Sequence, residues 1–244
     1  MAPPSEADAA AAGVDKRRYV RRIFSEIAPR YDLLNHLLSL NVDRAWRRRA
    51  IAALGWDRRP DGIYLDLCAG TLDVAVELTR QPGFRGTVVG ADFAEPMLRA
   101  GRRKAPPDQV TPVAADALEL PLADASVAGA IVAFGLRNVT DVEAGLREAK
   151  RVIAPGGRFV VLEFTTPPSA LVRAAYHAYF HHLLPAVGGA VSGHRSAYAY
   201  LPRSVARFPD GDSLAAQMRA AGFTAVGWRP LTLGIAALHV GERD

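Results

Sequence analysis

The chain has 244 residues, half of them hydrophobic, with a single cysteine and a formal net charge of +5. This length and apolar content suffice for one full core and predict one domain with additions, not two. One cysteine excludes an internal disulfide and fits a reducing, cytoplasmic setting, and no uncharged apolar run of about 18 residues marks a membrane-spanning helix.

Residues 1–15 are Ala- and Pro-rich without a basic start, which predicts a disordered tail and not a secretory signal. Residues 16–56 read as a helical cap: a helix over 15–28 that Pro29 ends, then helices over 33–40 and 43–54. Lys16-Arg17-Arg18, Arg21-Arg22 and Arg47-Arg48-Arg49 fall in this cap, and Arg102-Arg103-Lys104 lies further on. Such clusters suit an anionic surface, so peripheral contact with the inner face of a membrane is expected. A solvated helix face is the plainer reading of the same charges. Nucleic acid is not expected, because no aromatic-rich basic strand accompanies them.

From Ile63 the rhythm changes to short apolar strands, 63–67, 87–91, 110–114, 128–133 and 158–164, alternating with helices over 73–80, 95–104 and 142–153. This alternation predicts an α/β fold with a parallel, doubly wound sheet. Thr140 or Asp141 caps the third of these helices, and Pro155-Gly156-Gly157 stops it and turns the chain into the fifth strand. Residues 167–209 form a helical insertion rich in aromatics and histidines, among them Tyr176, His177, Tyr179, Phe180, His181, His182, His194 and Tyr200. These side chains suit either core packing or an apolar tunnel for a long acceptor. No metal is expected, since His177 and His181 lack the acidic partner of a zinc helix. A helix over 212–221 and two strands, 224–229 and 234–240, close the chain as an edge hairpin.

Ligands of open parallel sheets sit beyond the carboxyl ends of the strands, at the point where strand order reverses. Here those ends carry Asp66, Gly70, Thr71, Asp92, Asp116 and the run Phe134-Gly135-Leu136-Arg137-Asn138. The turn from Asp66 to Asp73 keeps only Gly70, with Cys68 and Leu72 at the flanking alternate positions, so a pyrophosphate finds few backbone amides to approach. Acids outnumber bases in the set. S-adenosylmethionine fits it better: Asp92 can take the ribose hydroxyls, Asp116 the adenine amino group, and Gly70 admits the amino-acid end. Structural roles compete with each of these. Asp66 and Asp92 can cap backbone amides, Arg137 and Asn138 can be an ion pair and a turn former, and Cys68 reads as a small packed residue.

Three segments carry a resemblance to a known family: Tyr31-Asp32-Leu33-Leu34-Asn35 with Ser39 and Trp46, then Phe134 to Val139, then Arg151-Val152 with Pro155-Gly156-Gly157 and Leu162-Glu163-Phe164. From about Phe24 onward the chain resembles the quinone-biosynthesis C-methyltransferases, which act on demethylmenaquinone or polyprenyl-benzoquinol. The resemblance implies a class I S-adenosylmethionine-dependent methyltransferase, Rossmann-like with a seven-stranded sheet. It further implies a lipid quinol acceptor, demethylmenaquinol above all, and a homodimer is a further expectation. Cofactor contacts carried over fall on Thr71, Asp92, Asp116 and Ala117, with Ala133 offering backbone only. The chain departs from the family at Asp43, Leu72, Ala133, Ala154 and Thr165, and Leu72, where a glycine is usual, touches the cofactor turn. Methylating a ring carbon of such a quinol needs a polar group beside the hydroxyl that ionises, so Arg137 is expected to stabilise the phenolate and Asn138 or Tyr31 to orient it, with His194 or water taking the proton. A different phenolic acceptor, or a non-catalytic role in the same pathway, are the rival readings.

Overall fold

The structure is a computed structural model that describes residues 15–32, 39, 41–179 and 195–244. The predicted helix over 33–40, apart from Ser39, lies outside the described residues, as do Phe180, His181, His182, His194 and the tail.

Seven strands form one sheet in the order β3-β2-β1-β4-β5-β7-β6. They are β1 Ile63–Leu67, β2 Thr87–Asp92, β3 Val110–Ala114, β4 Val127–Ala133, β5 Ile153–Phe164, β6 Thr224–Leu231 and β7 Ala236–Glu242. The first five are parallel, whereas β7 runs antiparallel between β5 and β6. Strand order reverses between β1 and β4, so their carboxyl ends splay around one crevice.

Side chains alternate along each strand and divide the core in two. Tyr64, Ile131, Val160 and Leu162 face one side with Trp46 and Ile51, while Leu65, Leu67, Val132 and Phe159 face the other with Leu214 and Met218. The helices in order are α1 Lys16–Ile27, α2 Val42–Leu54, α3 Asp73–Thr79, α4 Glu95–Arg102, α5 Val142–Val152, α6 Ala170–Ala178, α7 Arg195–Arg207 and α8 Gly211–Ala220. In α1 the apolar stripe Tyr19, Val20, Ile23 and Ile27 is buried against Tyr176 of α6 and Tyr200 of α7. The cap and the two described helices of the insertion therefore share one small core, and these two tyrosines belong to it rather than to an open tunnel.

The β5 boundary differs from the prediction for a local reason. The strand starts at Ile153, paired with Val127, and resumes its register at Arg158 opposite Gly129. Pro155-Gly156-Gly157 thus forms a bulge inside the strand rather than a turn before it. Gly156 has φ of 75°, and a Cβ on Gly157 would lie 2.6 Å from the Ala128 carbonyl oxygen. Asp141, not Thr140, caps α5 by accepting from the Ala144 amide at 2.9 Å.

Leu72 adopts a left-handed backbone, φ 65°, at the residue before α3, yet it is fully buried. Its side chain enters the core beneath the sheet, in a notch left by two glycines. A Cβ on Gly90 of β2 would come within 2.3 Å of Leu72 Cδ2, and one on Gly101 of α4 within 2.9 Å of Cγ. The leucine thus fills the core and leaves the crevice alone. Strain of about 1–2 kcal/mol for a non-glycine there is outweighed by a buried leucine, whose deletion costs about 2–5 kcal/mol. Leu72→Gly is expected to lower stability by about 2 kcal/mol in urea titrations and to leave donor affinity unchanged. Gly90→Ala should be costly alone and tolerated in the Leu72→Gly background, which a double-mutant cycle would measure.

Candidate active site

A partly open cavity lies at the β1/β4 reversal. Its floor is the turn after β1, where Cys68 and Gly70 take left-handed φ values of 54° and 52°. Gly70 faces the space directly: a Cβ there would lie 3.4 Å from Met97 Cε and 4.0 Å from the Tyr31 ring. Asp92, at the end of β2, accepts from the Gly70 amide at 2.8 Å through one oxygen and from the Ala94 amide at 2.8 Å through the other. Burial pushes its carboxyl above the usual range, and the two amides only partly oppose this. Asp116, after β3, accepts from the Leu118 amide at 3.0 Å and pairs with Arg17 of α1 at 2.9 Å. Ala117 and Ala133 complete the wall with Phe134, Asn138 and Val139.

Of the residues predicted to hold a cofactor, Gly70, Asp92, Asp116, Ala117 and Ala133 line this cavity, whereas Asp66 and Thr71 do not. The buried Asp66 carboxylate instead accepts from the Ala75 amide at 3.1 Å, locking α3 onto β1, which is the capping role weighed for it above. The Thr71 hydroxyl donates to Asp32. That bond opens a chain of charges: Lys104 bridges Asp32 and Asp73, and Arg47 bridges Asp73 at 3.3 Å and Asp43 at 2.5 Å. Asp43, a departure from the family pattern, is thereby paired and also accepts from the Ser39 hydroxyl at 2.5 Å.

The four candidate catalytic residues part company. Tyr31 and Asn138 line the cavity, and the Asn138 side-chain oxygen is buried with no hydrogen-bond partner. Arg137 sits one residue further back. Its guanidinium donates to Glu163 at 2.7 Å and to the Phe134 carbonyl, and lies 5.5 Å from the centre of the Phe164 ring. Glu163 also accepts from the Phe164 amide at 2.9 Å and the Arg137 amide at 3.3 Å. The pair therefore pins the single helical turn Leu136–Asn138 to the end of β5. This is the ion-pair reading, with the guanidinium outside the cavity wall. His194 lies outside the described residues.

Sequence reasoning gave no role to Glu163, although it stands in a segment that carried the resemblance, nor to Lys16 and Arg17 beyond a basic cluster. Lys16 donates to the Val139 carbonyl at 2.7 Å, and burial followed by the Arg137 charge brings its amine down to about 8. Lys16 therefore turns inward from the start of α1, while Arg17 stays exposed and reaches Asp116 from the rim of the cavity, placements that no periodicity reveals.

The donor set suits a cationic ligand with a ribose. Two carboxylates and an unpartnered amide oxygen meet one guanidinium that is already paired, so the cavity has few groups to hold a pyrophosphate. These residues fit S-adenosylmethionine.

Comparison with known proteins accords with that chemistry. The family model described as the ubiE/COQ5 methyltransferase family matches residues 12–243. A demethylmenaquinone methyltransferase from Thermus thermophilus is 51% identical over 224 residues, 91% of this chain and 100% of that protein. A ubiquinone/menaquinone biosynthesis C-methyltransferase from Geobacter sulfurreducens is 42% identical over 233 residues, 94% of this chain and 90% of that protein. Among solved structures, a SAM-dependent methyltransferase from Thermotoga maritima matches with a TM-score of 0.65 at 18% identity, covering 91% of this chain and 99% of that one. That likeness concerns the fold, a class I methyltransferase architecture.

Two outcomes follow from the buried charges. Burial raises the Asp66 carboxyl from 3.8 to about 8, so between those values the folded chain holds a proton that the unfolded chain has released. Stability should therefore fall as pH rises from about 5 to 8, and Asp66→Asn should flatten the slope in urea midpoints taken across that range. Carboxyls held low, such as Glu148 and Glu242, titrate below this window. Arg137→Ala should destabilise by about 3–5 kcal/mol because Glu163 is left buried and unpaired, and Arg137→Met with Glu163→Leu should recover most of the loss in thermal melts.

Proposed function

The chain belongs to the ubiE/COQ5 methyltransferase family, and from that membership we propose that it transfers a methyl group from S-adenosylmethionine to a ring carbon of a lipid quinol, demethylmenaquinol, giving menaquinol. The enzyme is an S-adenosylmethionine-dependent methyltransferase. The observation that carries the acceptor is the 51% identity to the Thermus demethylmenaquinone methyltransferase along that protein's whole length.

The donor supplies an electrophilic methyl on a positively charged sulfur. Within the cavity, Asp92 would hold the ribose hydroxyls on its remaining lone pairs, since each oxygen already accepts from one amide. Asp116 accepts from the adenine amino group beside Arg17, and Ala117 and Ala133 contribute backbone. Asp66 and Thr71 act from behind, by fixing the turn that presents Gly70.

Methylating a ring carbon needs electron density there, which a quinol gains when one hydroxyl loses its proton. With the donor held there, its methyl group would pass to that carbon, with formation of the C–C bond, cleavage of the C–S bond and loss of the ring carbon's own proton to restore aromaticity. Tyr31 and Asn138, on the wall, orient the acceptor. Phe24, Phe93 and Phe134 keep water from the reacting atoms.

A lipid acceptor must be reached at a membrane. Among the described residues no helix is long and apolar enough to cross one. The exposed face of α1 carries Arg18, Arg21 and Arg22, and we assign peripheral, charge-driven contact to it.

Purified enzyme with labelled donor and chemically reduced demethylmenaquinone should yield labelled menaquinone, with none from the oxidised form. Absence of transfer under reducing conditions would refute the acceptor assignment. Asp92→Ala should weaken donor binding at least about tenfold by calorimetry, the loss expected for hydrogen bonds to a charged group. For the membrane contact, sedimentation with anionic vesicles should exceed that with neutral ones and should vanish near 0.5 M salt, roughly, as screened charge contacts do.

A further inference from the structure

Arg17 stands between two spaces. It lines the donor cavity, where it reaches Asp116 at 2.9 Å, and together with Thr140 it also lines a second groove that runs along α1. That groove is strongly basic: Lys16, Arg17, Arg18, Arg21 and Arg22 surround it, against one acid, Asp15. Helical spacing gathers the arginines, since 17 and 21, and likewise 18 and 22, are one turn apart on the side away from the buried stripe Tyr19, Val20, Ile23 and Ile27. Glu26 stands 4.0 Å from Arg22, and no acid among the described residues pairs with Arg18 or Arg21. Like charges at this spacing repel, and an anion lying between them relieves the repulsion.

The pair at the junction is built to yield. The Arg17 side chain is 69% exposed, and an exposed ion pair contributes little. A phosphodiester flanked by Arg18 and Arg21 offers the same guanidinium a bidentate partner in a more basic setting. On the other side of the junction, Asp116 keeps one oxygen on the Leu118 amide and gives the other to Arg17. S-adenosylmethionine carries a sulfonium and an ammonium against one carboxylate, a net positive charge, so a guanidinium on the cavity wall opposes it.

We propose that the α1 groove takes the phosphodiester of an anionic phospholipid and in doing so draws Arg17 away from Asp116, so that membrane contact tightens binding of the cationic donor. The assignment rests on the donor and membrane-contact readings above and adds Arg17 as the link between them. The donor is then held best where a lipid acceptor is at hand. S-adenosylhomocysteine, the product, has lost the sulfonium charge and gains less from the departure of Arg17. The coupling is reciprocal, so bound donor strengthens membrane contact by the same factor.

Equilibrium dialysis on the full chain tests the link, with labelled donor or labelled product. Three additions are compared: vesicles of equal parts phosphatidylglycerol and phosphatidylcholine, vesicles of phosphatidylcholine alone, and inorganic phosphate at matched phosphate concentration. The mixed vesicles should tighten donor binding about fivefold, at the low end for coupled sites, and product binding less. Arg17→Gln should bind the donor without vesicles as tightly as wild type does with them, show no further response, and melt at the wild-type temperature. If Arg17 merely orders Asp116, Arg17→Gln weakens donor and product alike, and that result overturns the proposal. So does an equal vesicle response in Arg17→Gln, which would mark simple accumulation of cations at a charged surface. A response to inorganic phosphate as large as that to the mixed vesicles overturns the lipid assignment. Vesicles that bind the protein and leave donor affinity unchanged overturn the link alone, whereas vesicles that do not bind overturn the membrane contact as well. The expected coupling without methyl transfer to the quinol would support the link and overturn only the choice of acceptor.

Discussion

The hydrogen bond from the Gly70 amide to the Asp92 carboxylate joins the two strand ends on which the site is built. β1 and β2 are neighbours in register, and their last residues must be tied if the turn after β1 is to present its backbone to the crevice. A carboxylate buried to this degree is expensive, and its raised pKa records the cost. The expense is met in advance, during folding, so a ligand arrives at a carboxylate whose position is already fixed. The other groups around the turn do the same work from outside: Asp66 locks the helix that follows, and Leu72 anchors it from below.

The sheet was largely legible because its signals are local. Strand alternation, the single glycine of the turn and the acid about 20 residues on can each be read in a short window. The parts that were not legible depend on partners far along the chain. Leu72 seemed to threaten the cavity, yet its direction is decided by Gly90 and Gly101, which leave the notch it fills. Arg137 seemed to face the acceptor, yet its guanidinium is turned by Glu163, 26 residues later. Likewise the bulge at Pro155-Gly156-Gly157 exists because Gly157 must pass close to the Ala128 carbonyl, a contact between strands that no window contains.

Charge is layered in this molecule. The cavity is lined by carboxylates, its rear wall is an ion pair, and basic residues cover the cap. Between cap and sheet runs the chain Thr71, Asp32, Lys104, Asp73, Arg47 and Asp43, which links the segment after α1, the start of α3 and helix α2. Such a network adds polar ties to the apolar core that α2 and α3 already share, so the position of the cap is coupled to the shape of the turn it covers.

Cys68 stands in the cavity wall, and its thiol is pushed up first by burial and then by the carboxylates of Asp92, Asp66, Glu163 and Asp116. A thiolate on the wall of a methyl-donor cavity would be a competing nucleophile. The same acidic surroundings that suit a cationic donor keep this sulfur protonated. The one cysteine of the chain is thus held in its thiol form, the weaker nucleophile, at the wall of the cavity.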